Sequence, residues 1–285
     1  MIKHNIFSIY IVPFAMAPIF VRVFMDSRTA FISYAVTILL SAVAVRYQYE
    51  FIVVQLVGGL IAIFSLRELS KRSQIFLTAL LVTFGSAAIY LALQLIQADD
   101  FSKLDGSMYF HIGVNGFFLL FTYPLMLIIE KLFGFVSTVT MFELSNTNNE
   151  LLRKLSEVAP GTFQHSITVG NLGVEIANKI HAKGQLVRTG ALYHDIGKMV
   201  NPVFFTENQA GVNPHDKILD LESAKIIIGH VTEGLKLAEK YNLPNVIKEF
   251  ITTHHGQGLV KYFYINYKNA HPDEEIDDAP FRYPG

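Results

Sequence analysis

Hydrophobic residues are distributed unevenly along the chain. From Ile6 to about Phe135 almost every position is aliphatic or aromatic, whereas the sequence after Phe142 has an ordinary density of charged residues. A helix needs about 20 mainly apolar residues to cross a bilayer, so the first part predicts a helical membrane domain. We place a transmembrane domain at residues 1–135, a juxtamembrane linker at 136–160 and a water-exposed domain at 161–285.

The apolar part can be divided into about five spans. They are Ile6–Met25, Thr29–Val45, Phe51–Leu66, Ile75–Ile96 and Tyr109–Ile129. The start shows no small-residue cleavage site, which favours a span over a signal peptide. Gly58-Gly59 and Gly85-Ser86-Ala87 predict close packing between helices. Charged residues inside the spans are few, which argues against a transporter.

Lysine and arginine predict the orientation, because they are enriched in cytoplasmic loops. One set of loops and flanks contains Arg28, Arg67, Lys71, Arg72, Lys131, Arg153 and Lys154, and the opposite set contains Lys3, Arg46 and Lys103. We therefore expect the N-terminus to face outward and the C-terminal domain to be cytoplasmic.

Helical periodicity dominates the second part, and strand signals are nearly absent, so we expect an all-α domain. We predict a short helix at Leu151–Val158 and a longer one from an N-cap at Thr162 to about Lys183, with Gly184 as its stop. On the longer helix one stripe contains His165, Val169, Leu172, Ile176 and Ile180. That spacing predicts that His165 points into the core.

Four more helices are predicted downstream. The first, Leu186–Tyr193, ends at His194-Asp195, and an irregular stretch follows. Pro214 is expected to open a helix that reaches Gly229-His230, and another continues to about Tyr241. Pro244 opens the last, which ends at His254-His255.

Composition excludes several classes of function. The net charge of −1 argues against a nucleic-acid binder that relies on positive charge. The absence of cysteine excludes disulfides, cysteine-ligated zinc, iron–sulfur clusters and a thiol nucleophile.

The pair His194-Asp195 is the strongest chemical signal. It ends an apolar helix, where an unpaired carboxylate would be costly, and a metal ion would remove that cost. The two oxygens of Asp195 can reach two ions. The pair His215-Asp216 serves as an internal comparison, because it follows Asn213-Pro214 at a helix start, where an acidic residue is favoured for structural reasons.

These residues and the short sequence motifs around them resemble one family. The motifs are 159–162 (APGT), 164–166 (QHS), 190–198 (GALYHDIGK), 205–209 (FTENQ), 213–217 (NPHDK) and 281–285 (FRYPG). With the preceding spans they resemble the bacterial seven-transmembrane HD-domain receptors. The resemblance implies a multi-pass protein of the bacterial inner membrane with a cytoplasmic HD phosphohydrolase domain that hydrolyses cyclic di-AMP to the linear dinucleotide.

The resemblance also implies a ligand set for two divalent ions. One ion would be held by His165, His194 and Asp195, together with an aspartate that the family carries beyond the motif at 281–285. Asp195, His230, His254 and His255 would hold the other. Nitrogen and oxygen ligands without thiolate favour Mn or Fe.

Asp195 and Lys198 would be the catalytic residues, with Lys198 binding a phosphate oxygen. A solvated surface lysine is the alternative. Glu207, Asn208 and Tyr193 are candidates for contacts with the nucleobase.

The chain differs from the family pattern in two respects, since it shows five spans instead of seven and ends before the last ligand. A fragment cut at both ends, or a natural short form with a weakened site, would explain this. An HD hydrolase acting on cyclic di-GMP, a dNTP or a nucleoside monophosphate remains an alternative, as does a membrane receptor that binds nucleotide without cleaving it. The lipid bilayer is an expected partner, and a homodimer is left open.

Overall fold

The structure is a computed structural model that describes residues 8–66, 72–97 and 106–285. The chain forms two compact units, Met1–Thr140 and Met141–Gly285, and each is described by itself. The described residues form α-helices and 3-10 turns, with one isolated bridge between Leu259 and Arg282 and no named strand. The prediction of an all-α chain is confirmed. The orientation charges at Lys3, Arg67, Lys71 and Lys103 lie outside the described residues.

Six helices build the described part of the first unit. They are α1 (Met16–Phe24), α2 (Ser27–Ala42), α3 (Gln48–Ser65), α4 (Ser73–Gln97), α5 (Ser107–Leu119) and α6 (Thr122–Phe133). Among the described residues three segments are long and apolar enough to cross a membrane, namely Gln48–Ser65, Ser73–Ile96 and Ser107–Phe133. The apolar segments Ile9–Phe24 and Ser27–Ala42 are shorter. The first two of the five expected spans therefore remain predictions.

Large apolar side chains point outward from this unit, which suits contact with lipid. Leu40, Phe64, Phe84 and Phe110 are each about 70% exposed. Glycine allows the helices to approach closely, since a β-carbon at Gly59 would lie 1.9 Å from the Tyr34 ring. The predicted role of the small residues in helix packing is thus confirmed at this position.

The second unit contains the remaining helices. The short α7 (Thr138–Leu144) lies across the boundary between the units, and α8 (Glu150–Val158), α9 (Pro160–Lys179), α10 (Gly184–Tyr193), α11 (Asp220–Lys240), α12 (Asn245–Thr253) and α13 (Lys261–Ala270) follow. The two helices predicted on either side of His230 are one continuous helix, α11. Pro214 opens only a 3-10 turn, Pro214–Lys217, because the chain returns to extended backbone at Ile218.

The residues expected to form a linker contribute to the second unit. Leu151, Leu152 and Leu155 of α8 are fully buried. The carbonyl oxygen of Leu144 accepts a hydrogen bond from the Tyr193 hydroxyl at 2.8 Å. These contacts connect the segment after the membrane domain to α10, which precedes His194.

The ends of α9 differ from the prediction. The helix begins at Pro160, whose missing N–H costs nothing in a first turn, and it ends at Lys179. Thr162 is therefore not the N-cap, and its side chain is bonded to Glu207 instead. Gly184 starts α10 and does not stop α9.

The predicted core stripe of α9 is wrong. His165 is exposed, and Leu172, Ile176 and Ile180 are 62%, 63% and 69% exposed. The buried face of α9 carries small residues instead, namely Thr162, Ser166, Gly170 and Ala177. Close packing of α10 against α9 explains the difference, since a β-carbon at Gly173 would lie 2.7 Å from Val187. Only small side chains fit between the two helices.

Candidate metal centre

Two glycines position the His194-Asp195 pair. Helix α10 ends at Tyr193, and the pair follows directly before a 3-10 turn at Ile196–Val200. A β-carbon at Gly190 would lie 2.4 Å from the Phe250 ring of α12, and one at Gly197 would lie 1.8 Å from the His230 carbonyl oxygen of α11. The glycines on both sides of the pair therefore allow it to lie directly against the helices that carry the other histidines.

Asp195 lies at the centre of the cluster. Its side chain is 3% exposed. One oxygen, Oδ2, lies 3.1 Å from His194 Nε2 and 2.8 Å from Lys198 Nζ. The other, Oδ1, lies 3.2 Å from His230 Nε2 and 3.4 Å from His254 Nε2. Three histidines from three different parts of the unit therefore converge on one buried carboxylate.

Backbone carbonyls orient these histidines. The Nδ1 atoms of His194, His230 and His254 lie 2.6, 2.5 and 2.9 Å from the carbonyl oxygens of Ala191, Ile227 and Ile251. Those contacts place the proton of a neutral ring on Nδ1, and Nε2 then offers a lone pair. Each free lone pair is directed toward Asp195.

His165 and His255 complete the arrangement, and both are exposed. The His165 ring lies 5.7 Å from the His194 ring. His255 follows His254 at the end of α12 and stacks on Tyr283 with 4.0 Å between ring centres. His254 and His255 are adjacent in space as well as in sequence, with 4.1 Å between rings.

Two donor groups result from this geometry. His165, His194 and Asp195 offer ligand atoms within 4.8 Å of one another, and so do Asp195, His230, His254 and His255. The structure thus brings together every residue for which we predicted a metal ligand. Asp195 belongs to both groups.

The donor chemistry fits divalent cations. Asp195 Oδ1 is buried without a hydrogen-bond partner among the described residues. The Nε2 atoms of His230 and His254 lie 3.3 Å apart, so three acceptors face one another when the rings are neutral. Such a group of lone pairs is stable with a cation between them or with added protons.

The pKa shifts around Asp195 also indicate a cluster that suits a divalent cation. Burial alone would raise the pKa of Asp195, but His194, His230 and His254, when they carry a proton on Nε2, would donate to it and hold that pKa far below its ordinary value. Burial would lower the pKa of His194, and the bond to Asp195 raises it overall. Burial and the neighbouring histidines lower the pKa of His255 to about 4, which keeps that ring neutral and able to bind a metal.

Lys198 is part of the site and is not a solvated surface residue. Its side chain is 14% exposed and its ammonium lies 2.8 Å from both Asp195 Oδ2 and Glu207 Oε1. It also lies 5.0 Å from the centre of the Phe205 ring. Burial would lower the pKa of Lys198, but the charge of Asp195 raises it above the ordinary value, so the side chain stays cationic.

The candidates for base contacts are engaged elsewhere. Tyr193 is fully buried, so its role is structural. Asn208 and Glu207 are bonded to Thr162 at the start of α9. His215 lies 2.9 Å from the carbonyl oxygen of Phe204, in agreement with its structural interpretation.

Sequence reasoning missed two contributors, Tyr283 and Phe205. Tyr283, in the motif at 281–285, stacks on the His255 ring. Phe205 contacts His230 with 5.7 Å between ring centres. Both residues lie in sequence motifs that resemble the family, 281–285 and 205–209, but the sequence alone predicted no role for them.

A cavity of about 720 Å³ adjoins the cluster at His230 and Gly197. Phe205 and Ile226 contribute apolar walls, and Lys225 supplies a cation. Its volume lies in the range of small-molecule sites.

Fold and site define an all-α domain with a divalent-metal centre that follows a helical membrane domain in one chain. Comparison with known families agrees, since residues 1–137 match the family described as 7TM receptor with intracellular HD hydrolase, and residues 162–278 match the HD domain. The two matches together cover most of the chain, which confirms the predicted resemblance to this family of membrane proteins.

Two curated relatives are similar over nearly the whole chain. The cyclic-di-AMP phosphodiesterase PgpH of Bacillus subtilis is 35% identical over 97% of this chain and 40% of that protein. The protein of the same name from Listeria monocytogenes is 35% identical over 97% of this chain and 39% of that protein. The chain thus spans about 40% of the length of the curated relatives it matches.

Two solved structures of an HD domain are similar to about half of the chain. The crystal structure of the Listeria monocytogenes PgpH HD domain is 41% identical, covers 48% of this chain and 64% of that chain, and has a TM-score of 0.46. The structure of that domain in complex with cyclic di-AMP is 42% identical, covers 49% and 65%, and has a TM-score of 0.47.

Proposed function

We propose that this chain is a membrane-anchored, metal-dependent phosphodiesterase that hydrolyses cyclic di-AMP to the linear dinucleotide. The observation that carries the proposal is the buried Asp195 carboxylate, which belongs to two donor groups at once. A carboxylate shared by two ions would hold them close together, and closely spaced ion pairs are typical of enzymes that cleave phosphate esters. The choice of cyclic di-AMP as the substrate rests on the two curated relatives, which are named as cyclic-di-AMP phosphodiesterases.

One divalent ion would be held by His165, His194 and Asp195, and the other by Asp195, His230, His254 and His255. The nitrogen and oxygen donors favour Mn or Fe. When bound, such ions activate water and neutralise charge on a phosphate. The chain itself contributes fixed ring orientations through the Nδ1 contacts of its histidines. Low exposure of Asp195 and His230 limits competition from water at these ligands.

Lys198 would bind a non-bridging phosphate oxygen as a point charge. An ammonium has three donors, and two of them are directed at Asp195 and Glu207. The third is left for a ligand at the same site.

The HD domain would lie on the cytoplasmic side of the bacterial inner membrane, where a cyclic dinucleotide messenger is available. The excess of Lys and Arg in one set of loops supports this orientation.

One observation favours a second candidate, a receptor that binds nucleotide without cleaving it. The described residues supply three donors to the group of His165 but four to the group of His255. His165 is also exposed. An incomplete first site would bind metal weakly and hydrolyse slowly.

The test uses the full chain in lipid nanodiscs with Mn²⁺ or Fe²⁺ and a panel of cyclic di-AMP, cyclic di-GMP, a dNTP and a nucleoside monophosphate. We expect cyclic di-AMP to be linearised preferentially and Asp195→Ala to abolish turnover, while Asp216→Ala, in the structural His-Asp pair, retains it. Normal turnover by Asp195→Ala would contradict the proposal. Tight binding of cyclic di-AMP without hydrolysis would favour the receptor.

A further inference from the structure

We propose that Glu207 is a positioning residue that holds Lys198 at the phosphate-binding side of the metal centre. The inference rests on the proposed function for the role of Lys198 toward phosphate. It concerns a residue that belongs to neither donor group.

The first step is the bond between the two side chains. Lys198 Nζ lies 2.8 Å from Glu207 Oε1, and the Glu207 side chain is 29% exposed. The same ammonium lies 2.8 Å from Asp195 Oδ2. Lys198 is thus shared between a carboxylate of the donor groups and a carboxylate outside them.

The second step concerns what remains for Lys198 when cations use Asp195. A cation held at each donor group would neutralise the Asp195 carboxylate and repel the ammonium of Lys198. Glu207 is then the remaining carboxylate paired with Lys198 among the described residues. Without it, a long flexible side chain loses its fixed position, and ordering it on a phosphate costs conformational entropy.

The third step is that Glu207 is itself fixed. Thr162, fully buried in the first turn of α9, donates from Oγ1 to Glu207 Oε1 at 3.0 Å and accepts from Asn208 Nδ2 at 2.8 Å. Asn208 Oδ1 accepts from the Thr162 N–H at 3.1 Å. A β-carbon at Gly161 would lie 1.9 Å from the Glu207 carbonyl oxygen, so only glycine allows this approach. The turn Thr206–Asn208 is therefore held against the start of α9.

The experiment is a double-mutant cycle with Glu207→Gln, Lys198→Met and the double variant, in the full chain loaded with Mn²⁺. Glutamine keeps an acceptor for Thr162 and removes the charge. The probe is orthophosphate, with binding measured by calorimetry, and the metal content of each protein is determined alongside. Glu157→Gln is the matched control, because it disrupts an exposed ion pair with Arg153.

We expect Glu207→Gln to weaken phosphate binding about fivefold in the wild-type background and to have no further effect when Lys198 is methionine, since the two residues act as one unit. Metal content and the Glu157→Gln control should stay at the wild-type level. An equal loss in both backgrounds would show a merely structural role and overturn the proposal. No loss from Glu207→Gln, or no phosphate binding by the wild type, would also overturn it.

The cycle separates this inference from the proposed function. Coupling between Glu207 and Lys198 in phosphate binding, without hydrolysis of cyclic di-AMP, would reject the proposed reaction and retain the positioning role. Hydrolysis of cyclic di-AMP without that coupling would reject the positioning role alone.

Discussion

At the scale of single residues, Asp195 connects two sets of histidines that come from four separate segments of the chain. His165 is on α9, His194 follows α10, and His230 is within α11. His254 and His255 follow α12. Because Asp195 belongs to both donor groups while each histidine belongs to one, substitutions can remove the groups separately or together.

This separation gives a prediction on metal content. The chain purified with Mn²⁺ should carry about two ions, and His165→Ala or His255→Ala should each lower that number toward about one, since losing a ligand lowers metal affinity by roughly 10–100-fold. Asp195→Asn should lower both occupancies. Elemental analysis against protein concentration measures this, and Asp216→Asn is the control. Equal occupancy in wild type and Asp195→Asn would contradict the shared role.

The donor groups were predicted from the family resemblance, whose sequence motifs fix the order of the ligands, and the residue types agree because few side chains bind divalent metals. The surroundings could not be predicted in the same way. Tyr283 stacks on His255 from 28 positions away, and the bond from Lys198 to Glu207 depends on how a turn packs against α9. Such contacts depend on tertiary packing and leave no periodic signal.

At the scale of helices, close packing through small residues determines which faces are buried. The apolar stripe of α9 predicted a core face by hydrophobic periodicity, yet α10 packs on the face that contains Ser166 and Gly170. Periodicity reports where apolar side chains lie, and it does not report how close a neighbouring helix must come. The predicted helix boundary at Gly229-His230 is wrong, because glycine is tolerated within a helix and α11 continues through it.

Gly197 and Gly229 give a matched pair for testing this packing. A β-carbon at Gly197 would clash with the His230 carbonyl oxygen, whereas one at Gly229 meets no atom within 4 Å. We expect Gly197→Ala to destabilise the domain by about 1–3 kcal/mol through overpacking, and to lower metal affinity because His230 is displaced. Gly229→Ala should stabilise α11 by about 0.5–1 kcal/mol.

Thermal unfolding followed by circular dichroism, with metal removed, measures both variants, and metal titration then reports the effect on the site. An unchanged midpoint for Gly197→Ala would contradict the contact between the 3-10 turn at Ile196–Val200 and α11. A loss of stability in Gly229→Ala would show that its environment is more crowded than the structure indicates.

At the scale of the whole molecule, the two units differ in what they expose. Most of the exposed large apolar side chains, such as Phe64 and Phe84, belong to the first unit, and fewer, such as Ile180, belong to the second. So much exposed apolar surface on the first unit is unfavourable in water and favourable in lipid. This supports a membrane protein whose second unit lies in water. The side of the membrane depends on loop charges alone.

The chain has no cysteine, so single introduced cysteines can report that side without background labelling. We predict that Ala44→Cys, after α2, is labelled by a membrane-impermeant maleimide in intact cells, because its loop belongs to the outward set. Thr147→Cys, between α7 and α8, should be labelled only after permeabilisation, since it follows the basic residues of the cytoplasmic set. Both positions are exposed, which makes access to the membrane side the deciding factor. The reverse pattern would place the metal centre outside the cell, away from a cytoplasmic messenger, and the proposed substrate would then have to be abandoned even with the donor groups intact.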